Sequence, residues 1–275
     1  MNFQDLPRSN LHTHTCYCDG RDEPVDIVGA AIDAGMEALG FSGHSFVSFD
    51  PDYSMIPENT NRYRAEIRLL REMFRNHLHI LLGLEQDYYS ELPTEQYDYL
   101  IGSYHYFKAT DRFRPIDATP DEFKAIVNDC FGGDVYAFTR DYFEHVARIP
   151  AKTGCDILGH FDLISKFNAD GSLFDERDRR YLDPAMDALD EILKTDVIFE
   201  INTGAAPRGW RLTPYPDSPF LRRIAQRGGR VTFSSDSHAK ETLMQGFERA
   251  VTHAKASGIR ALTVMTREGW KDFAI

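Results

Sequence analysis

A chain of 275 residues, 42% hydrophobic and 27% charged with 19 Phe and 13 Tyr, has the make-up of a folded globular protein rather than a disordered one. Its formal charge of −12 argues against a nonspecific grip on a nucleic-acid backbone. No apolar run approaches the roughly 20 residues of a membrane span, and the opening MNFQDLPRSN lacks the basic and apolar segments of a signal peptide, so a cytoplasmic protein is expected.

In chain order, short runs rich in Ile, Leu, Val and Phe alternate with longer stretches of helical character. Strands are expected at 10–12, 38–42, 79–84, 99–103, 156–159, 197–201 and 230–234, with a weaker one at 261–264. Helices are expected at 24–36, 61–74, 120–129, 134–149, 181–193, 218–227 and 243–257. Pro24, Pro120 and Pro219 fall near first turns, where a missing N–H costs little. Gly228, Gly229 and Gly258 fall where helices turn back into strands. Seven or eight strand–helix repeats predict an α/β fold, a (β/α) barrel closed or distorted, as one domain over 1–275. An open doubly wound sheet should carry a Gly-rich phosphate turn after its first strand, and none is present. The stretch from 106 to 154 should hold two helices and an insertion over the barrel mouth. Cys16, Cys18, Cys130 and Cys155 make no disulfide framework and no zinc-ribbon spacing, and are expected as free thiols.

Metal-capable residues cluster at the expected strand ends. Strand one runs into His12-Thr13-His14 and then Asp19. Later strands end in Gly43-His44, Gly83-Leu84-Glu85, Ser103-Tyr104-His105, Gly159-His160 and Ser235-Asp236-Ser237-His238. This is the face where barrel enzymes place their sites. One His-x-His pair alone is commonly structural, although its spacing on a strand does turn both rings to one side. Nine such residues together are different, because burying them unpaired would be very costly. They exceed the ligand capacity of one ion, and suit two or, more comfortably, three divalent cations with Glu85 able to bridge. Imidazole and carboxylate ligands suit Zn, Mn or Fe alike. Three divalent ions outweigh the charges of Asp19, Glu85 and Asp236, which favours a dianionic phosphate as substrate. His77, His79, His145 and His253 are read as surface or packing residues.

These ordered motifs, from His12-Thr13-His14 and Asp19-Gly20 through Leu158-Gly159-His160 to Ser235-Asp236-Ser237-His238, resemble those of the PHP (polymerase and histidinol phosphatase) superfamily over nearly the whole chain. Gly102 through Lys166 resembles its histidinol-phosphate phosphatase branch. The resemblance implies a distorted, TIM-like (β/α)7 barrel with a trinuclear centre. His12, His14, Glu85 and Asp236 would hold one ion, Glu85, His105 and His160 a second, and Asp19, His44 and His238 the third. The implied chemistry is hydrolysis of a phosphomonoester, L-histidinol phosphate, by a metal-bridging hydroxide formed at neutral pH. Glu85, His105 and Asp236 would be central to catalysis. Lys166 and Arg208 would clamp the substrate phosphate, with Arg211 the rival for the second role and Ser103 a further substrate contact. Tyr88, Tyr89, Tyr104, Tyr106 and Phe107 are candidates to line the pocket, and Trp210 to form part of a lid.

A phosphodiesterase or nuclease, or a broad phosphatase on nucleotides, is the alternative reading. The net charge and the lack of a basic aromatic stripe count against it. A noncatalytic metal-binding module conflicts with the complete ligand motifs. The expected partner is therefore a small phosphomonoester, with no nucleic acid and no membrane; these features do not encode an oligomeric state.

Overall fold

The structure, a computed structural model, describes residues 3–110, 112–205, 209–211 and 213–275. Its strands are β1 (Ser9–Asn10), β2 (Ala38–Phe41), β3 (His79–Asp87), β4 (Tyr99–Ser103), β5 (Tyr106–Lys108), β6 (Phe113–Pro115), β7 (Ile157–Leu158), β8 (Ile198–Asn202), β9 (Val231–Ser234), β10 (Ala261–Thr266) and β11 (Gly269–Ala274). Its helices are α1 (Pro24–Asp33), α2 (Pro57–Phe74), α3 (Pro120–Phe131), α4 (Val135–Val146), α5 (Ile149–Thr153), α6 (Arg179–Ile192), α7 (Ser218–Arg227) and α8 (Phe247–Ala256). Seven strands form one parallel sheet in the order β1-β2-β3-β4-β7-β8-β9.

The two edges of that sheet meet just past β1 and β9. The His14 N–H donates to the Ser237 carbonyl at 2.8 Å, and the Ser237 N–H donates to the His12 carbonyl at 3.1 Å. The sheet is thus nearly closed into a barrel, and the lacing sits among the residues that carry the chemistry.

Alternation along the strands sorts side chains into two layers. Ile80, Leu82 and Leu84 of β3 join the large apolar core that includes residues of the surrounding helices. Leu81 instead joins Leu11, Ala38, Tyr99, Ile101, Ile157 and Met265 in a smaller cluster that fills the barrel floor. Tyr99 fits there because Gly40 and Gly83 lack side chains; a Cβ on either would lie 2.2 Å from the Tyr99 side chain. Its hydroxyl donates to the Leu11 carbonyl at 2.5 Å, so the buried phenol is satisfied. Above this plug the same inward parity puts Glu85, Ser103, Glu200 and Ser234 inside the barrel, all buried.

Four expectations need correction. The strand expected at 261–264 is real, but β10 pairs antiparallel with β11 in a hairpin, because Gly269 (φ 97°) reverses the chain without a crossover helix. The hairpin lies against β9 and β1 and does not enter the parallel sheet. The helix expected over 134–149 divides into α4 and α5 ahead of Pro150, which lacks an N–H and disfavours helical backbone before it. The helix expected from 243 begins only at Phe247, after Gly246 at φ 80°. Between 106 and 154 the chain forms the β5–β6 hairpin as well as three helices. No helix among the described residues is long and apolar enough to cross a membrane.

Candidate metal centre

Glu85, 1% exposed, is the hub of the site. β3 carries it upward from the floor, and its carboxylate meets imidazoles on several sides. His12 and His14 follow β1 with the two-residue spacing that aligns side chains, and their ring centroids are 5.1 Å apart. Asp236 follows β9 at φ 49°, a left-handed conformation that Asp tolerates better than most residues and that clusters at functional sites.

Four atoms from these residues converge. His12 Nε2 lies 3.3 Å from Glu85 Oε2 and 3.5 Å from Asp236 Oδ1; His14 Nε2 lies 3.6 and 3.2 Å from the same oxygens. All four are buried and none makes a hydrogen bond, an arrangement too costly to persist without a ligand among them. Nitrogen and oxygen ligands held at about 2.1 Å by a tetrahedral Zn would be about 3.4 Å apart. The spacing therefore fits a single cation.

A second group shares Glu85. His160 Nε2 and His105 Nε2 lie 3.1 and 3.4 Å from Glu85 Oε1, and 3.3 Å from each other. In a third, Asp19 Oδ2 lies 3.1 Å from His238 Nε2, while Asp19 Oδ1 lies 3.5 Å from His44 Nε2 and 3.7 Å from His14 Nδ1. His44 Nδ1 also approaches Glu85 Oε2 at 2.8 Å. All nine residues are brought together, but the three sets overlap: His14 also borders the Asp19 group, and His44 also groups with Glu85 and His105.

The groups perturb one another strongly. Burial would lower the His12 pKa, but Asp236, Glu200 and Glu85 hold it well above the ordinary imidazole value. His14 is pushed down to about 3, first by burial and then by His238 and His44. Burial opposes ionisation of Glu85 and Asp236, yet the surrounding histidines keep both well below the carboxylate range. A metal-ready pit combines such ionised carboxylates with imidazole lone pairs.

Residues 10–204 match the PHP domain model. The chain belongs to the PHP domain family. It is 30% identical to the "Probable histidinol-phosphatase" of Deinococcus radiodurans, over 94% of this chain and 96% of that one. It is 25% identical to the "Histidinol-phosphatase" of Bacillus subtilis, over 85% of this chain and 94% of that one. The structure of the Lactococcus lactis histidinol phosphate phosphatase, complexed with Zn, L-histidinol and phosphate, superposes with a TM-score of 0.71 at 20% identity, covering 97% of this chain and 100% of that one. At that identity the superposition speaks for a shared fold.

Around the PHP site lie acidic residues that the sequence reading passed over. His12 Nδ1 lies 2.6 Å from Glu200 Oε1, and His105 Nδ1 lies 3.2 Å from Asp87 Oδ2. Such partners fix which ring nitrogen carries the proton and orient the ring. Both had a signal: Asp87 stands two residues past Glu85, on the same strand face, and Glu200 is a charge between buried Phe199 and Ile201. Tyr53, also unanticipated, stacks on His44 with centroids 3.9 Å apart.

The centre opens into a cavity of about 310 Å³, walled by seven of the nine residues, all but His12 and His14, and by Asp50, Tyr53, Tyr106, Asp117, Lys166 and Tyr215, among others. Lys166 Nζ donates to Asp117 Oδ2 at 2.8 Å and to the Asp117 carbonyl at 2.7 Å. Tyr106 donates to Asp50 Oδ2 at 2.9 Å.

Several expected substrate contacts stand elsewhere. Ser103 is buried and donates to Glu85 Oε1 at 2.6 Å, behind the centre rather than at the cavity wall. Arg208 lies outside the described residues. Arg211, its rival, is buried, donates to Ser165 and faces Glu176 at 3.7 Å, so it holds the loop from within. Of the five aromatic candidates only Tyr106 lines the cavity: Tyr88 and Tyr89 pack on each other and on Tyr104, whose ring stacks on His145, and Phe107 packs on Phe131 and Phe138. Trp210 is 39% exposed and meets Phe167 edge-on. His253 is buried against the Pro216 carbonyl, at 3.0 Å. All four cysteines are free thiols.

Proposed function

We propose that this PHP-family chain is a metal-dependent phosphatase that hydrolyses L-histidinol phosphate to L-histidinol and phosphate in histidine biosynthesis. The observation that carries the reading is the convergence of His12 Nε2, His14 Nε2, Glu85 Oε2 and Asp236 Oδ1, four buried atoms without a hydrogen bond. His12, His14, Glu85 and Asp236 would hold one divalent ion, Glu85, His105 and His160 a second, and Asp19, His44 and His238 a third, with Zn, Mn and Fe all chemically suited. Ions bound there would acidify a coordinated water and neutralise charge on the phosphoryl oxygens.

The rest of the work falls to side chains of this chain. Lys166, the one Lys or Arg among the described residues at the cavity wall, supplies a cation for an incoming phosphate. Asp117 and Asp50 offer carboxylates to the ammonium and imidazole of an amino-alcohol ester, and the rings of Tyr53 and Tyr106 give the imidazole a flat apolar wall. As Asp117 turns to the substrate ammonium, Lys166 is released toward the phosphate. Tyr99 and the floor cluster keep water from entering the centre from below. Cavity-lining residues run from Asp19 to His238, and the β10–β11 hairpin lies against β1 and β9. This supports treating 1–275 as a single catalytic domain, which the reading places in the cytoplasm acting on a small molecule.

The test is to incubate metal-replete protein with L-histidinol phosphate and follow L-histidinol and inorganic phosphate by NMR. Equimolar appearance of both, abolished by chelation, is expected. Hydrolysis only of diesters such as bis-p-nitrophenyl phosphate, giving p-nitrophenol and p-nitrophenyl phosphate, would overturn the assignment in favour of a phosphodiesterase.

A further inference from the structure

β8 contributes none of the nine candidate ligands, yet Glu200 on that strand reaches two of them, His12 and His160. Its carboxylate is 1% exposed and accepts on both oxygens. Oε1 lies 2.6 Å from His12 Nδ1 and accepts from the Ser234 hydroxyl at 2.5 Å. Oε2 accepts from the His160 backbone N–H at 2.9 Å and from Asn202 Nδ2 at 3.0 Å. The same Asn202 nitrogen reaches Asp236 Oδ2 at 3.2 Å.

We infer that Glu200 is a positioning residue that couples two of the ion positions: one oxygen keeps the His12 proton on Nδ1, and the other anchors the backbone that presents His160. The inference rests on the metal reading above. An ionised carboxylate only accepts hydrogen bonds, so His12 Nδ1 must donate, and the nitrogen left to ligate an ion, by losing its proton to the cation, would be Nε2, in the group formed with Asp236 and Glu85. The anchored His160 ring belongs to the group formed with His105 and Glu85. β8 lies between β7, which leads to His160, and β9, which leads to Asp236, so one buried charge spans both neighbours.

Glutamine at this position has the right shape and the wrong chemistry. With its NH2 toward His160, two donors face each other, and a backbone N–H cannot turn away. With its NH2 toward His12, the Ser234 hydroxyl can rotate to accept. His12 Nδ1 must then become an acceptor too, which moves the ring proton to Nε2, the nitrogen aimed at Asp236 and Glu85. The second arrangement is the easier to form, and it blocks His12 as a ligand.

The experiment uses the full chain, wild type and Glu200→Gln, loaded with zinc. Chelator competition and metal analysis should show zinc held at least about 10-fold more weakly by the variant, the usual cost of removing such an orienting partner, with fewer ions retained per chain. Nitrogen NMR of the zinc-loaded wild type should show the His12 proton on Nδ1. That measurement decides the matter if Glu200→Gln does not fold. A variant that melts lower but keeps wild-type zinc affinity and stoichiometry, or a wild-type His12 protonated on Nε2, would overturn the role of Glu200. A wild type that binds no zinc, manganese or iron would overturn the metal reading instead.

Discussion

Lys166 Nζ lies 2.8 Å from Asp117 Oδ2 at the wall of the cavity, a half-shielded ion pair beside the cluster of imidazoles. On the proposed function, each partner would hold the other until a molecule with both a cation and an anion, such as an amino-alcohol phosphate, takes its place. Hydrogen bonds to charged groups contribute about 1.5–3 kcal/mol. Lys166→Met is therefore expected to lower kcat/KM for L-histidinol phosphate about 10- to 100-fold, largely through KM. Asp117→Asn should cost more with L-histidinol phosphate than with p-nitrophenyl phosphate, which has no ammonium. Steady-state kinetics on both substrates checks this; equal losses on both would remove Asp117 from recognition.

Glu85 is shared between the first two groups, so Glu85→Gln should cost both. Loss of most bound metal and at least about a 10³-fold fall in kcat is the expected outcome, since two positions disassemble together. Metal removal from the wild type should also lower Tm, because ions that bind only the folded state stabilise it, by about 4 kcal/mol when present at 1,000 times their Kd. Elemental analysis and thermal melts with and without chelator give the answer, and unchanged metal content in Glu85→Gln would contradict the shared role.

The thiols near the site should be inert. Burial first, and then the Glu23 carboxylate, push the Cys16 thiol up to about 12. Burial and Asp19 push Cys18 up to about 12, and burial raises Cys155 to about 11. A raised thiol pKa leaves almost no thiolate at neutral pH, and the thiolate is the nucleophile. With iodoacetamide at pH 7.5, exposed Cys130 should be alkylated first, as peptide mass spectrometry would record. Faster labelling of Cys16 or Cys18 would show that their surroundings are more open than described.

The barrel floor makes a sharper demand on Gly83. A Cβ there would sit 2.2 Å from the ring of Tyr99, itself buried against Leu11 and Ile101. Overpacking of this kind costs about 1–3 kcal/mol, so Gly83→Ala should lower Tm by several degrees. Tyr99→Phe in the same background should not restore it, because the ring carbons clash as well as the hydroxyl.

Much of this was legible in the chain. Buried parallel strands announce themselves as apolar runs, and polar residues at their ends mark one face, so the barrel and the nine metal-capable residues follow. What stayed hidden depends on neighbours distant in sequence. Nothing local says that His14 and His44 each border two groups, which follows from how β1, β2 and β3 stand side by side. Ser103 faces Glu85 because strand parity turns it inward at that level, where a carboxylate oxygen needs a donor. β5 and β6, three residues each, are too short for any periodic signal. Glu200 gains its partners only where β1 and β9 bring His12 and Ser234 to it.

The central claim is most directly tested by steady-state hydrolysis of L-histidinol phosphate beside a panel of mono- and diesters, using metal-replete protein with His14→Ala as control. The account predicts kcat/KM of about 10⁴ M⁻¹s⁻¹ or more for L-histidinol phosphate, well above the rest of the panel and lost in His14→Ala. Turnover of L-histidinol phosphate no faster than that of generic phosphomonoesters, or full activity in the variant, would contradict it.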